Sequence, residues 1–235
     1  MISVLIWNYS RHKEMAYCLP KWLEQVGVDY EIIIAAGPDI VRIDSPKCRY
    51  IPAYPPPKMG ANYNALLQAA KGDKILVTQA DMEVNDPEQL KRMADICRDG
   101  VMVSEKFFKE AQTGADGVLR PIRQPGIFLQ FLMVTRKDLA EAGGWWEYWD
   151  CPAVAAHEDT DLICRLVRNG VELEWTETPE DKGVYHLHHS TPYLSASYAM
   201  RVKNGLHIYK ERNPIPLLKM LIDQKVKRIY GPKRI

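Results

Sequence analysis

Apolar and polar positions along this chain switch between two periods, and the switches mark its elements. Ile2 to Trp7 is an apolar run that opens into the polar cluster Asn8-Tyr9-Ser10-Arg11. Met15 to Val26 then places Leu19, Trp22, Leu23 and Val26 at helical spacing, with Gly27 as a stop. A second apolar run, Glu31 to Ala36, ends at Gly37-Pro38-Asp39. Strand, helix and strand in this order predict a parallel pair joined by a crossover.

The pattern continues. Arg49 to Ala53 reads as a third strand, and Pro52 to Pro57 is extended or irregular because proline fixes φ and removes the backbone donor. Ala61 to Lys71 reads as a helix with Leu66, Leu67 and Ala70 on one side. Ile75 to Val84, ILVTQADMEV, reads as one buried strand of a parallel sheet. Asp86 as cap and Pro87 in the first turn predict a helix running to Arg98. Val101 to Val103 and Ile127 to Thr135 are strands, with a loop or a hairpin over Lys109 to Gln124. Lys137 to Ala142 is a short helix ending at Gly143-Gly144. A further helix carries Leu162, Ile163, Leu166 and Val167 and is closed by Asn169-Gly170. Val171 to Trp175 and Val184 to His189 are the last strands. The expected fold is α/β, doubly wound, with a mostly parallel sheet flanked by helices.

Composition narrows the class. With 235 residues and 46% hydrophobic content, the chain has the material for one substantial core rather than two. A formal charge of +1 argues against a dedicated nucleic-acid binder. The charge is uneven: Arg201 to Ile235 holds ten Lys or Arg against Glu211 and Asp223. That segment therefore carries +8, leaving about −7 for the rest. Its Leu217, Leu218, Met220, Leu221 and Ile222 beside the basic residues suit an amphipathic helix. Such a helix either lies on an anionic membrane surface or packs on the body with its charges solvated. The expected division is a catalytic domain over 1–200 and a basic amphipathic segment over 201–235. Five cysteines without a CxxC pair read as thiols in a reducing compartment. No run reads as a signal peptide or a membrane span, so a cytoplasmic protein is expected, with peripheral membrane contact one of the two readings of the basic segment and packing on the body the preferred one.

Four stretches carry candidate chemistry. Asp81 and Glu83 end the ILVTQADMEV run, and ligands of open α/β sheets sit beyond the carboxyl ends of strands. Acidic groups there hold a hard divalent cation against phosphate oxygens, or simply solvate a turn, since Asn85-Asp86-Pro87 is turn-forming. Trp145, Trp146 and Trp149 follow the glycine pair. They suit the apolar faces of sugar rings, or else form a core cluster. Glu158, Asp159 and Asp161 open a helix, where the dipole alone favours acidic residues; a carboxylate so placed also serves as a general base. His186 and His188 alternate to one side of an extended segment, with His189 on the other, and point to a metal or phosphate site. A zinc site on His157, His186 and His188 fits no known spacing.

Taken together, these residues resemble the inverting GT-A glycosyltransferases of the family 2 type, with a galactosyltransferase-like C-terminal segment. The resemblance runs from Ile2 to about His189 and is most specific in ANYNALLQAAKGDKILVTQADMEV and GGWWEYWDCPAVAAHEDTDLICRLVRNG. It implies a nucleoside diphosphate sugar donor, most often uridine diphosphate, and a glycan or lipid-linked acceptor. It also implies Mn²⁺ or Mg²⁺ held by Asp81 and one of His186 and His188, with Glu83 a further candidate. Asp159 matches the family's base, and Glu158 stands beside it. Asn8, Tyr9, Arg11, Asn64, Ala80 and Asp81 fall at donor-binding positions, with Gln79 at the family's first acidic position and Asp39 near but shifted from the base-reading one, and Trp145, Trp146 and Trp149 fall in the acceptor loop. The chain departs from the pattern at Gln79, where the family's first acidic position stands, and at Tyr63, where an Arg is frequent. Ala35-Ala36-Gly37 stands where many relatives place the Asp that reads uracil. A sugar nucleotidyltransferase, and a nucleotide- or glycan-binding protein without activity, use the same strand-end acidic site and remain open.

Overall fold

The computed structural model describes residues 1–40, 42–55, 58–105, 108–113, 119–123, 131–147, 158–179 and 182–187. Expectations for Trp149, His157, His188, His189 and the segment 201–235 lie outside the described residues.

The main sheet uses β1 (Ile2–Asn8), β2 (Tyr30–Ala36), β3 (Cys48–Pro52), β4 (Lys74–Gln79), β6 (Val101–Glu105), β9 (Phe131–Thr135) and β10 (Glu172–Thr176). Their order is β10-β6-β9-β4-β1-β2-β3. All neighbours are parallel except β9, which runs antiparallel to both β4 and β6. Successive residues feed opposite layers, as the strand pleat requires. Val4 and Ile6 of β1 with Ile32 and Ile34 of β2 pack with Met15, Leu19 and Trp22 of α1 (His12–Leu23) and Leu90 and Met93 of α3 (Gln89–Ile96). Leu5 and Ile33 face the other way, into a layer with Tyr63 and Leu66 of α2 (Met59–Ala69), Leu139 of α4 (Arg136–Glu141), and Leu162, Ile163 and Leu166 of α5 (Glu158–Arg168). Burial on both faces is why these strands read as unbroken apolar runs.

A second, smaller sheet has the order β5-β11-β7-β8, from β5 (Met82–Val84), β11 (Val184–His186), β7 (Phe108–Thr113) and β8 (Leu119–Arg123). Its hairpin β7–β8 settles the choice between loop and hairpin. Here the expectation of one strand over Ile75 to Val84 needs correction. The chain leaves the main sheet after Gln79, turns at Ala80-Asp81, and joins the second sheet, where Met82 pairs with His186 and Val84 with Val184. Met82 and Val84 are buried against α1, and Trp22 Nε1 donates to the Met82 carbonyl at 2.9 Å. Apolar burial thus continues across the break, so hydrophobicity alone hides it.

The helix expected from Pro87 begins at Gln89 instead. Asp86 Oδ1 accepts from the Glu88 N–H at 3.1 Å, closing a local turn before the helix rather than capping it. Arg136 closes α2 from outside: its guanidinium donates to the carbonyls of Leu67, Ala70 and Gly72. Those are acceptors that the end of a helix leaves open.

Candidate active site

The carboxyl ends of β1 and β4 lie side by side, with Trp7 in register with Gln79. Just past them, Asp81 is fully buried yet carries a carboxylate. Its Oδ2 forms an ion pair with Arg11 and lies 2.9 Å from His186 Nε2. The Leu187 N–H donates to the Asp81 carbonyl at 2.9 Å, so the end of β11 is stitched to this turn. Burial, with the Arg11 charge beside it, pushes the His186 imidazole down to about 4, leaving the ring neutral in neutral solution. A neutral imidazole next to a carboxylate is a sound pair of donors for a hard or borderline cation.

Arg11 is held at the start of α1 by Asn8, whose side-chain Oδ1 accepts the Arg11 N–H at 2.9 Å. Asn8 is buried at the tip of β1, and its amide Nδ2 finds no hydrogen-bond acceptor among the described residues. Gly37, after β2, presses on the same corner: its N–H donates to the Asn8 carbonyl at 2.9 Å. A Cβ there would sit 2.1 Å from the Tyr9 carbonyl oxygen, so only glycine fits. Tyr9 is half-buried, Asp39 is exposed on the loop after β2, and Ala80 is buried within the turn.

Glu83, expected beside Asp81 at a cation, is engaged elsewhere. Its carboxylate forms an ion pair with Lys21 of α1 and accepts from the Tyr17 hydroxyl at 3.1 Å. The turn at Ala80-Asp81 explains this, because Glu83 falls on β5 against α1. Among the described residues, no three acidic, imidazole or thiol groups converge into a cation cage. Asp81 and His186 are a two-residue pair. Of these, the carboxylate is the protein ligand a magnesium-like ion commonly uses, with its remaining ligands from water and substrate phosphates, and the imidazole suits a borderline ion such as Mn²⁺.

Gln79 and Asp159 line one pocket with Met59, Tyr63, Trp145 and Leu162. Asp159 stands in the first turn of α5, half-buried. Glu158 begins that helix. Of the two readings of the tryptophan cluster, Trp145 takes the core one: the residue is 3% exposed, and its ring stacks on Tyr63 with centroids 5.1 Å apart. It forms a wall of that pocket, not a surface plane. Trp146 is 47% exposed, with the Arg165 guanidinium 4.6 Å from its ring centroid.

Asn64, expected to touch the donor, instead grips this loop. Its Nδ2 donates to the Trp145 carbonyl at 2.8 Å, and its Oδ1 accepts the Trp145 N–H at 3.0 Å. The reciprocal pair uses both ends of the amide. From the other side, Arg165 of α5 donates to the carbonyls of Ala142 and Gly144 and pairs with Asp161 at 2.9 Å. The glycines between have φ of +78° and +65°, which L side chains rarely adopt. Sequence reasoning passed over Arg165; its signal was the spacing to Asp161, one helical turn earlier. A more polar groove runs along the outer side of α2, lined by Tyr54, Lys58, Asn64, Gln68 and Glu147.

A mostly parallel seven-stranded sheet with one reversed strand, helices on both faces, and an acidic turn past β4 is the GT-A fold. The sequence itself matches no protein-family model and no curated protein. Solved structures share the architecture. One is the mannosyltransferase PcManGT from Pyrobaculum calidifontis in complex with GDP-Man and Mn²⁺. It is 12% identical over 96% of this chain and 69% of its own, with a TM-score of 0.60. A second is S. aureus TarS 1–349 in complex with UDP-GlcNAc, 13% identical over 99% of this chain and 73% of its own, with a TM-score of 0.65. Against a longer TarS structure the chain spans 44% of that protein. At such identities the likeness is one of fold. No helix among the described residues is long and apolar enough to cross a membrane.

Proposed function

We propose that this chain is an inverting glycosyltransferase of the family 2 type, moving a sugar from a nucleoside diphosphate to a hydroxyl of a glycan or lipid-linked acceptor. The observation that carries the reading is convergence. Asp81 and His186 touch although 105 residues apart, and Asp159 lines one pocket with Gln79, two positions before Asp81. The complexes of the similarly folded proteins with GDP-Man and with UDP-GlcNAc support a sugar nucleotide as donor. Uridine diphosphate is the preferred carrier, on the resemblance of the sequence.

In this mechanism the Asp159 carboxylate accepts the proton of an acceptor hydroxyl. The freed oxygen attacks the anomeric carbon from the face opposite the diphosphate, the glycosidic C–O bond forms as the bond to the diphosphate breaks, and the configuration inverts. Asn8, Tyr9, Arg11, Asp39, Gln79, Ala80 and Asp81 cradle the donor along the ends of β1, β2 and β4. Trp146 offers its exposed face to the acceptor, with Glu158 beside the base. Bound at Asp81 and His186, Mn²⁺ or Mg²⁺ supplies countercharge to the leaving diphosphate. The basic segment 201–235 is proposed as a contact for an anionic membrane bearing the acceptor.

The test is a thermal-shift panel of nucleoside diphosphate sugars with and without Mn²⁺, followed by transfer assays with the donor that shifts the protein. A selective, Mn²⁺-dependent shift is expected. Stabilisation by sugar 1-phosphate and nucleoside triphosphate instead would identify a nucleotidyltransferase.

A further inference from the structure

We propose that Arg11 is a resident countercharge that makes cation capture at Asp81 conditional on the nucleoside diphosphate. This rests on the donor reading above and adds to it the order in which the charges assemble.

Asp81 contributes the one carboxylate that the described residues place at this corner. Position 79 is Gln79, and Glu83 is neutralised by Lys21. The Asp81 carboxylate is in turn compensated by the Arg11 guanidinium. His186 adds a lone pair without a charge. A bare divalent ion arriving here meets a carboxylate already paired and a guanidinium within contact range, in a setting where the Asp81 side chain has 0% exposure. Uncompensated charge in such a place is costly. A diphosphate changes the balance, since it brings several negative charges for the cation and the guanidinium to share.

Two further features fit Arg11 to this part. It occupies the N-cap position of the twelve-residue helix α1, where the dipole disfavours a cation, so its placement is explained by an anionic partner rather than by the helix. Its backbone is pinned through Asn8, while its side chain keeps 23% exposure. The guanidinium can therefore turn from Asp81 to phosphate oxygens without moving the loop. Its planar fork suits both partners.

The experiment follows free Mn²⁺ by electron paramagnetic resonance during titration into the full chain. Wild type is expected to take up Mn²⁺ weakly alone and roughly 50-fold more tightly with UDP or GDP present. Arg11→Gln is expected to bind Mn²⁺ alone at least ~10-fold more tightly than wild type does. Adding Asp81→Asn to Arg11→Gln abolishes that gain, placing the ion at Asp81, and Arg11→Lys, which keeps the charge, stays close to wild type. Melting curves verify that each variant is folded. Equal Mn²⁺ affinity of the wild type with and without nucleotide, or no gain in Arg11→Gln, overturns the proposal while the donor reading stands, provided UDP or GDP still binds. Failure of both nucleotides to bind any form in the presence of Mn²⁺ overturns both.

Discussion

On the β1–β4–β11 wall of the site, polar side chains hold one another: the Arg11 guanidinium and the neutral His186 ring both engage Asp81, and Lys21 engages Glu83. On the α2–α5 wall, side chains hold backbone. Asn64 clasps the amide and carbonyl of Trp145, and Arg165 grips the carbonyls around the glycine pair. The first kind of bond is exchangeable, because an incoming ion or phosphate offers each partner an equivalent. The second is a scaffold, since displaced backbone groups would be left buried and unsatisfied. One wall is therefore held by exchangeable charge pairs and hydrogen bonds, and the other by side chains that fix a loop's backbone.

The contrast can be broken most decisively at Asp159. Asp159→Asn is expected to keep donor binding in the thermal-shift panel while lowering transfer by roughly 10²–10⁴-fold. Near-normal turnover would remove Asp159 as base and leave the scaffold wall without chemistry. Next in size, Trp145→Ala is expected to cost about 4 kcal/mol in denaturant unfolding, because it empties a stacked core position. Its neighbour makes the control: Trp146→Ala should alter stability by less than about 0.5 kcal/mol and raise the KM for acceptor instead. Equal destabilisation by the two would contradict the assignment of Trp145 to the wall and Trp146 to the surface.

Asn64→Ala should cost about 2 kcal/mol by stranding the Trp145 amide and carbonyl. It should also weaken acceptor use more than donor binding; a selective loss of donor binding would return Asn64 to the role first expected from its position. Glu83→Gln, which keeps an acceptor for Lys21 and Tyr17 but loses the charge of a partly buried pair, is expected to cost about 1–2 kcal/mol in stability. Mn²⁺ uptake in the presence of nucleotide is expected to stay unchanged. A loss of uptake would put Glu83 back at the cation.

Much of the frame was legible because burial on two faces writes itself into runs such as EIIIAA and KILV, and helical spacing into the stretch around Leu162 to Val167. The glycine pair and the Asp-bearing helix start were legible for the same local reasons. Contacts between separate layers were not legible. Glu83 was grouped with Asp81 because a single residue separates the two at the end of ILVTQADMEV, although the chain changes sheets inside that stretch. The family resemblance places Asn64 at the donor and Trp145 in the acceptor loop. In the fold the first is spent on a loop 81 residues away, and the second is packed on Tyr63.

Most of the order of strands and helices, and the two-faced main sheet, were determined by the sequence alone, since hydrophobic period reports which faces lose water and does so within a few residues; the turn at Ala80-Asp81 was not. Which polar group meets which was decided only in three dimensions. Arg11 and His186 reach Asp81 from opposite ends of the chain because parallel crossovers and the turn at Ala80-Asp81 bring them there. No local pattern encodes a contact whose partners are set by how separate layers pack.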